Sequence, residues 1–262
     1  MPEGPEIRRA ADQLAAAIGR DPLVHVELNL PALRRQAKAL VGRRIVSILP
    51  RGKALLTRFD HGLSLYSHNQ LYGVWATAKA GERPESTRSL RVVLESAKKA
   101  LLLYSATDIA LLDDAAIARH PFLTKLGPDV LDDETTQATV EERLEDRRFA
   151  GRQLGALLLD QAFLGGLGNY VRSEILFDAG LRPERRPRDL DPRERAHLAE
   201  ACLRIPRLSY RTRGRRGRYG NDGGFRFAVF DREGEPCPSC GTAIEREEVG
   251  TRRLYVCPRC QG

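Results

Sequence analysis

Phe163-Leu-Gly-Gly-Leu-Gly-Asn-Tyr170 is a glycine-rich run that invites a nucleotide-loop reading. A dinucleotide fingerprint must follow a strand. The residues ahead of this run, Gln153-Leu-Gly-Ala-Leu-Leu-Leu-Asp-Gln-Ala-Phe163, carry a helical pattern instead. What remains is helix, glycine turn, helix. The second helix would present backbone N–H groups at Gly168, Asn169 and Tyr170, a site suited to a DNA phosphate. On residue types alone, a plain helix connection stays open beside it.

Working outward, the chain changes texture on either side. Upstream, the short runs Arg44–Leu49, Ala54–Phe59, Leu63–Tyr66, Leu90–Leu94 and Ala100–Tyr104 are separated by turn signals such as Asp60-His-Gly62, the pattern of a β-rich sandwich or barrel. The boundary falls near Gly127-Pro128-Asp129. Downstream, helices are expected at Glu141–Glu145, Gln153–Phe163, Tyr170–Phe177 and Pro192–Ile205. The stretch from Arg211 to Gly224 is too polar and glycine-rich to pack, and is expected to be mobile without a bound polyanion.

At the beginning, Met1-Pro-Glu-Gly-Pro-Glu6 leads into an amphipathic helix with Ile7, Ala11, Leu14, Ala15 and Ile18 on one face. Pro5 suits its first turn and Gly19 its end. Glu3 would sit at the positive end of that helix, where ordinary capping and a catalytic role are both open readings.

Four of the five cysteines fall as Cys237-x2-Cys240 and Cys257-x2-Cys260. Two such turns joined by a hairpin close a tetrahedral thiolate shell around one zinc ion, and a closed shell makes the metal structural. Paired disulfides are the competing reading, disfavoured in a reducing compartment. Cys202 stands alone in a helical stretch as a buried thiol.

The length of 262 residues suffices for two compact domains, or one with an appendage. No run approaches the roughly 20 apolar residues of a membrane helix, and Pro and Glu stand where a secretory signal wants a basic then apolar run. A soluble, cytoplasmic protein is expected. The net charge of +8, mostly from arginine, suits a partner made of phosphates.

Together these motifs resemble the bacterial formamidopyrimidine-DNA glycosylase and endonuclease VIII family over essentially the whole chain. The resemblance is carried by Pro2-Glu-Gly-Pro-Glu6, Arg51-Gly-Lys-Ala-Leu-Leu56, Tyr66-Ser-His-Asn-Gln-Leu-Tyr-Gly-Val-Trp75, Gly165-Gly-Leu-Gly-Asn169 and the cysteine hairpin. It implies an α+β multidomain fold: a catalytic helix and β-sandwich over 1–127, a helical domain with a helix-two-turn-helix over 128–222, and a zinc-finger hairpin over 223–262. The sister branch usually starts Pro-Glu-Leu-Pro-Glu and prefers 8-oxoguanine, whereas Gly4 and Gln70-Leu71-Tyr72 resemble the endonuclease VIII pattern for oxidised pyrimidines.

The resemblance also implies roles. Pro2, freed by removal of Met1, is the nucleophile; Glu3 is the acid/base carboxylate, supported by Glu6. Lys53 holds a phosphate beside the lesion and assists base removal, while Asn169 and Arg252 pinch the same backbone. Arg253 departs from the family pattern, and the spacing of five residues before Cys257 favours Arg252. Gln70, Leu71 and Tyr72 would fill the space left by the flipped nucleotide, and Glu174 is either part of the pocket or a solvated helix residue. The implied partner is duplex DNA with oxidised bases or abasic sites, met by a monomer on the nucleoid. Two alternatives are a non-catalytic zinc-hairpin DNA-binding protein and a glycosylase of the same family that prefers oxidised purines.

Overall fold

The computed structural model describes residues 2–212 and 225–262, and the chain forms two compact units. The first holds Pro2 and Glu6–Thr124; the second holds Glu3–Pro5 and Lys125–Gly262.

Helix α1 (Gly4–Ile18) starts with Pro5 in its first turn, where the fixed φ suits a helix and a missing N–H costs nothing. It stops at Gly19, whose φ of +62° disfavours any residue with a Cβ. Ile7, Ala11, Leu14 and Ile18 are buried; Ala15, expected on the same face, is exposed.

Eight antiparallel strands complete the first unit: β1 (Leu23–Leu28), β2 (Ile45–Arg51), β3 (Ala54–Phe59), β4 (Ser64–His68), β5 (Val74–Lys79), β6 (Leu90–Ser96), β7 (Lys99–Tyr104) and β8 (Asp108–Leu112). They form two four-stranded sheets, ordered β1-β6-β7-β5 and β2-β3-β4-β8. Leu28, Leu94 and Leu101 from one sheet meet Ile48, Leu55 and Leu65 from the other, with Ile7 and Leu14 of α1, in a single apolar core. At about 1.5–3 kcal/mol for each fully buried aliphatic side chain, that core fixes which face of every strand turns inward. The unit is therefore a β-sandwich capped by α1. A short helix, α2 (Asp114–Ile117), follows β8, with the Asp113 side chain accepting from the Ala116 N–H.

The second unit is helical and ends in a hairpin. Helix α3 (Gln137–Glu145) opens with a reciprocal cap between Thr136 and Thr139. The helix expected over 153–163 is only one turn, α4 (Leu154–Leu157). Asp160 ends it: its side chain accepts from Ala162 N–H and its carbonyl from Phe163 N–H, so the backbone closes a local turn instead of continuing. Helix α5 (Asn169–Asp178) follows the glycine run, as expected. Helix α6 (Pro192–Thr212) runs beyond the expected end at Ile205, straight through Pro206. Pro206 and Ser209 are buried, so packing on this core offsets the hydrogen bond that the proline ring cannot donate. Arg211 and Thr212 close α6, and the rest of the arginine-rich stretch, 213–224, lies outside the described residues. Strands β9 (Glu245–Val249) and β10 (Arg252–Val256) pair as the hairpin, with Leu254 and Val256 sunk in the helical core.

Candidate functional site

In the second unit, Glu3 is 4% exposed. Its Oε1 accepts from the Tyr170 N–H at 3.0 Å and its Oε2 from the Val171 N–H at 3.2 Å, across 167 and 168 residues of sequence. These are orphan donors of the first turn of α5, and the positive helix end favours the charged carboxylate. This corrects one expectation: the Tyr170 N–H does not wait for a phosphate, because Glu3 occupies it. Glycines make the approach possible. A Cβ on Gly168 would lie 2.1 Å from Glu3 Cδ, and one on Gly4 would lie 2.9 Å from Gly166 Cα and O. Gly4 also donates to the Gly166 carbonyl at 2.8 Å, and Gly166 holds a φ of +94°. A leucine at position 4, as in the sister pattern, would require the Gly166 turn to move.

Asn169 starts α5 half-buried, and its Oδ1 accepts from the Arg172 guanidinium at 2.7 Å. Arg172 is fully buried and also donates to the carbonyls of Gly155 at 2.6 Å and Arg253 at 3.1 Å. Burial pushes its pKa down to about 10, against a pull upward from Glu3 and a further push down from Arg252. It stays charged at neutral pH. Sequence reasoning missed it, since an arginine on a helix reads as a solvated one. Arg252 and Arg253 open β10 with both side chains exposed.

Glu174 is buried, not a solvated helix residue. Its carboxylate accepts from the N–H groups of Ala228, Val229 and Phe230 at 2.8, 3.1 and 2.8 Å. Burial pushes its pKa up while those hydrogen bonds pull it down. It latches the segment that leads into the cysteine hairpin onto α5.

In the hairpin, Cys237, Cys240, Cys257 and Cys260 place their sulfurs within 4.8 Å of one another. None of the four is in a disulfide, and the sulfurs of Cys237 and Cys260 lie 3.8 Å apart and those of Cys240 and Cys257 3.5 Å apart. A tetrahedron with metal–sulfur bonds of about 2.3 Å has edges of about 3.8 Å, so the cluster fits one zinc ion with no open position. The N–H groups of Ser239 and Cys260 donate to the Cys237 and Cys257 sulfurs at 3.4 Å each. Gln261, fully buried, accepts from Cys257 N–H and donates to the Leu181 carbonyl, tying this turn to the helices. Cys202 is buried elsewhere in the helical core, and burial pushes its thiol up.

In the first unit, Lys53 follows Gly52 in the two-residue turn between β2 and β3, where Gly52 has φ +60°. Lys53 is 7% exposed and presses on the charge of His68 in β4. Residues 69–73 link β4 to β5 as a braced tip. Gln70 holds φ +48°, its N–H donates to His68 Nδ1 at 3.0 Å, and its Oε1 accepts from Thr107 at 2.8 Å. Gly73 N–H closes on the Asn69 carbonyl, and Arg88 donates to the Tyr72 carbonyl. Leu71 and Tyr72 are left 58% and 66% exposed, large apolar groups held out on a fixed turn. Glu6, in the first turn of α1, accepts from Arg9 at 2.7 Å. Pro2 precedes α1 directly beside Glu3 in the chain.

Among the described residues no helix is long and apolar enough to cross a membrane. The chain matches the formamidopyrimidine-DNA glycosylase N-terminal domain over residues 1–108, the H2TH domain of the same glycosylases over 126–214, and the zinc finger found in FPG and IleRS over 234–262. It is 52% identical to an endonuclease 8 of Escherichia coli (strain HS) and 53% to one of Klebsiella pneumoniae (strain 342), each over 262 residues and the full length of both chains. A Lactococcus lactis Fpg solved with abasic-site DNA is 23% identical, with a TM-score of 0.85 over 99% of both chains, and shares the fold. The chain belongs to the formamidopyrimidine-DNA glycosylase and endonuclease VIII family.

Proposed function

We propose that the chain is a bifunctional DNA glycosylase and AP lyase of base excision repair, which removes oxidised pyrimidines and cleaves the strand through a Schiff base on Pro2. The observation that carries the reading is the Glu3 carboxylate, buried and clasped by two N–H groups next to a potential N-terminal secondary amine. An α-amine has a reference pKa of about 7.7–8.0, so Pro2, once Met1 is removed, is a usable nucleophile near neutral pH.

In this reading the Pro2 nitrogen bonds to C1′ of the damaged nucleotide, and the C1′–base bond breaks as the base leaves with a proton. Opening of the sugar ring, with O4′ taking a proton, leaves an iminium at C1′ that has no N–H to lose. Its charge acidifies C2′; loss of that proton expels the 3′ phosphate, and a second elimination expels the 5′ phosphate. Glu3 moves protons at the opening sugar, with Glu6 in support. Lys53 holds a phosphate and assists base removal. Asn169 and Arg252 hold the backbone of the same strand. Leu71 and Tyr72, with Gln70, fill the gap left by the flipped nucleotide, a step that costs a few kcal/mol and less at a damaged pair. Zinc, when bound, holds the hairpin that presents Arg252. A monomer acting on the nucleoid in the cytoplasm suits this role.

Incision of duplexes carrying thymine glycol, 8-oxoguanine opposite cytosine, or an abasic site tests it. The expected order places thymine glycol and the abasic site ahead of 8-oxoguanine. Preference for 8-oxoguanine would move the assignment to oxidised purines, and binding without incision of any would leave a non-catalytic DNA-binding protein.

A further inference from the structure

We infer that Gln161 is a positioning residue for the Glu3 carboxylate: its side-chain amide holds the glycine turn in the shape that receives the start of the chain. The inference rests on the catalytic reading of Glu3 above.

Gln161 lies in the connection between α4 and α5, partly buried, and its own carbonyl accepts the Gly127 N–H at 2.8 Å, so its main chain is anchored where its side chain reaches out. The amide uses both ends. Oε1 accepts from the Gly166 N–H at 3.1 Å, while Nε2 donates to the Leu167 carbonyl at 2.9 Å and the Leu159 carbonyl at 3.2 Å. These partners fix which way the amide faces, because an N–H can meet only its oxygen and the carbonyls only its NH2 group. No other side chain of this length supplies an acceptor and two donors without charge. The peptide groups it grips belong to the turn that Gly166 makes at φ +94°. From that turn the Gly166 carbonyl accepts the Gly4 N–H at 2.8 Å, one residue past Glu3, and two residues on Gly168 leaves the space that the Glu3 carboxyl group fills. The Tyr170 and Val171 N–H groups that clasp the carboxylate follow at once. Glu3 is thus placed twice by the segment that Gln161 grips, through the Gly4 backbone and through the first turn of α5. Without the amide, an N–H and two carbonyls lose their partner, and the turn must shift to regain one.

The test is single-turnover base removal from a thymine glycol duplex by Gln161→Leu, Glu3→Gln and the double variant of the zinc-loaded protein, with melting temperature and affinity for undamaged duplex alongside. Gln161→Leu is expected to lose on the order of a hundredfold in rate, the cost of a displacement near 1 Å at a reacting group, while that affinity changes little. It should cost little further in the Glu3→Gln background, because both changes act on the same carboxylate. A rate close to the original, equal losses in rate and affinity, or losses that multiply in the double variant would overturn the inference. Undiminished base removal by Glu3→Gln would instead overturn the catalytic reading of Glu3, and this inference with it. Should Gln161→Leu fail to fold, Gln161→Glu carries the test. Its carboxyl keeps an acceptor for the Gly166 N–H but can donate to a carbonyl only while protonated, and burial against carbonyls raises its pKa. Measured against the original protein at each pH, its rate should be near normal in acid and fall as the carboxyl ionises; a ratio that stays flat across pH would contradict the inference.

Discussion

Gly168 has no room for a methyl group, because a Cβ there would lie 2.1 Å from Glu3 Cδ and 2.4 Å from Cγ and Oε2. Gly168→Ala should therefore push the carboxylate off the Tyr170 and Val171 N–H groups. A displacement near 1 Å at a reacting group costs on the order of a hundredfold in rate. Single-turnover base removal should fall by that order, while binding to undamaged duplex changes much less. Equal losses in both would show that the glycine serves only to hold the fold.

Acid should loosen the tip that carries Leu71 and Tyr72. His68 Nδ1 accepts the Gln70 N–H, which requires a neutral ring, and burial pushes the His68 pKa below its usual value, with Lys53 adding to the shift and Asp108 opposing it. A depressed folded-state value means that this contribution to stability is complete above about pH 6.5 and is lost as the pH falls through the lower folded value. His68→Gln keeps an acceptor that does not titrate. Its melting temperature should decline less on the acid side than that of the original protein; parallel curves would contradict this.

Much of this architecture was legible in the sequence, for definite reasons. The cysteine quartet has a fixed spacing that few other structures share, and α1 announces itself through Pro5, Gly19 and the Ile7–Leu14–Ile18 stripe. Strands β2, β3, β4, β6 and β7 are dense apolar runs. Strand β5 passed unseen because much of it is exposed, and β1 because His25 and Glu27 interrupt it. The least legible features are charges whose partners lie far away in the chain. Glu3 meets Tyr170, Glu174 meets Ala228 to Phe230, and Arg172 meets Arg253; each reads locally as an ordinary helix residue. Backbone donors at α5 looked open only because their carboxylate is 167 residues upstream.

Loss of metal should act on the hairpin alone. Cys257→Ser removes one thiolate from a shell whose binding energy is folding energy. Zinc content should drop from one per chain toward zero and DNA affinity should fall, while the β-sandwich keeps its own transition in thermal unfolding. Wild-type protein free of stoichiometric zinc yet fully active would contradict the assignment.

Salt should weaken DNA binding steeply in a chain of net charge +8. Each phosphate neutralised adds about 0.9 to the slope of log affinity against log salt. Arg252→Ala should weaken binding to damaged and intact duplex alike and flatten that slope by about one such step. An unchanged slope would show that Arg252 does not touch the backbone.

Borohydride trapping on an abasic-site duplex, followed by peptide mapping, tests the central claim most directly. The reduced adduct should map to the peptide that starts at Pro2. Retaining Met1, or adding residues ahead of it, converts the amine to an amide without a nucleophilic lone pair and should abolish the adduct. Undiminished trapping on a protein with a blocked N-terminus, with the sugar remnant on Lys53 or another lysine, would contradict it.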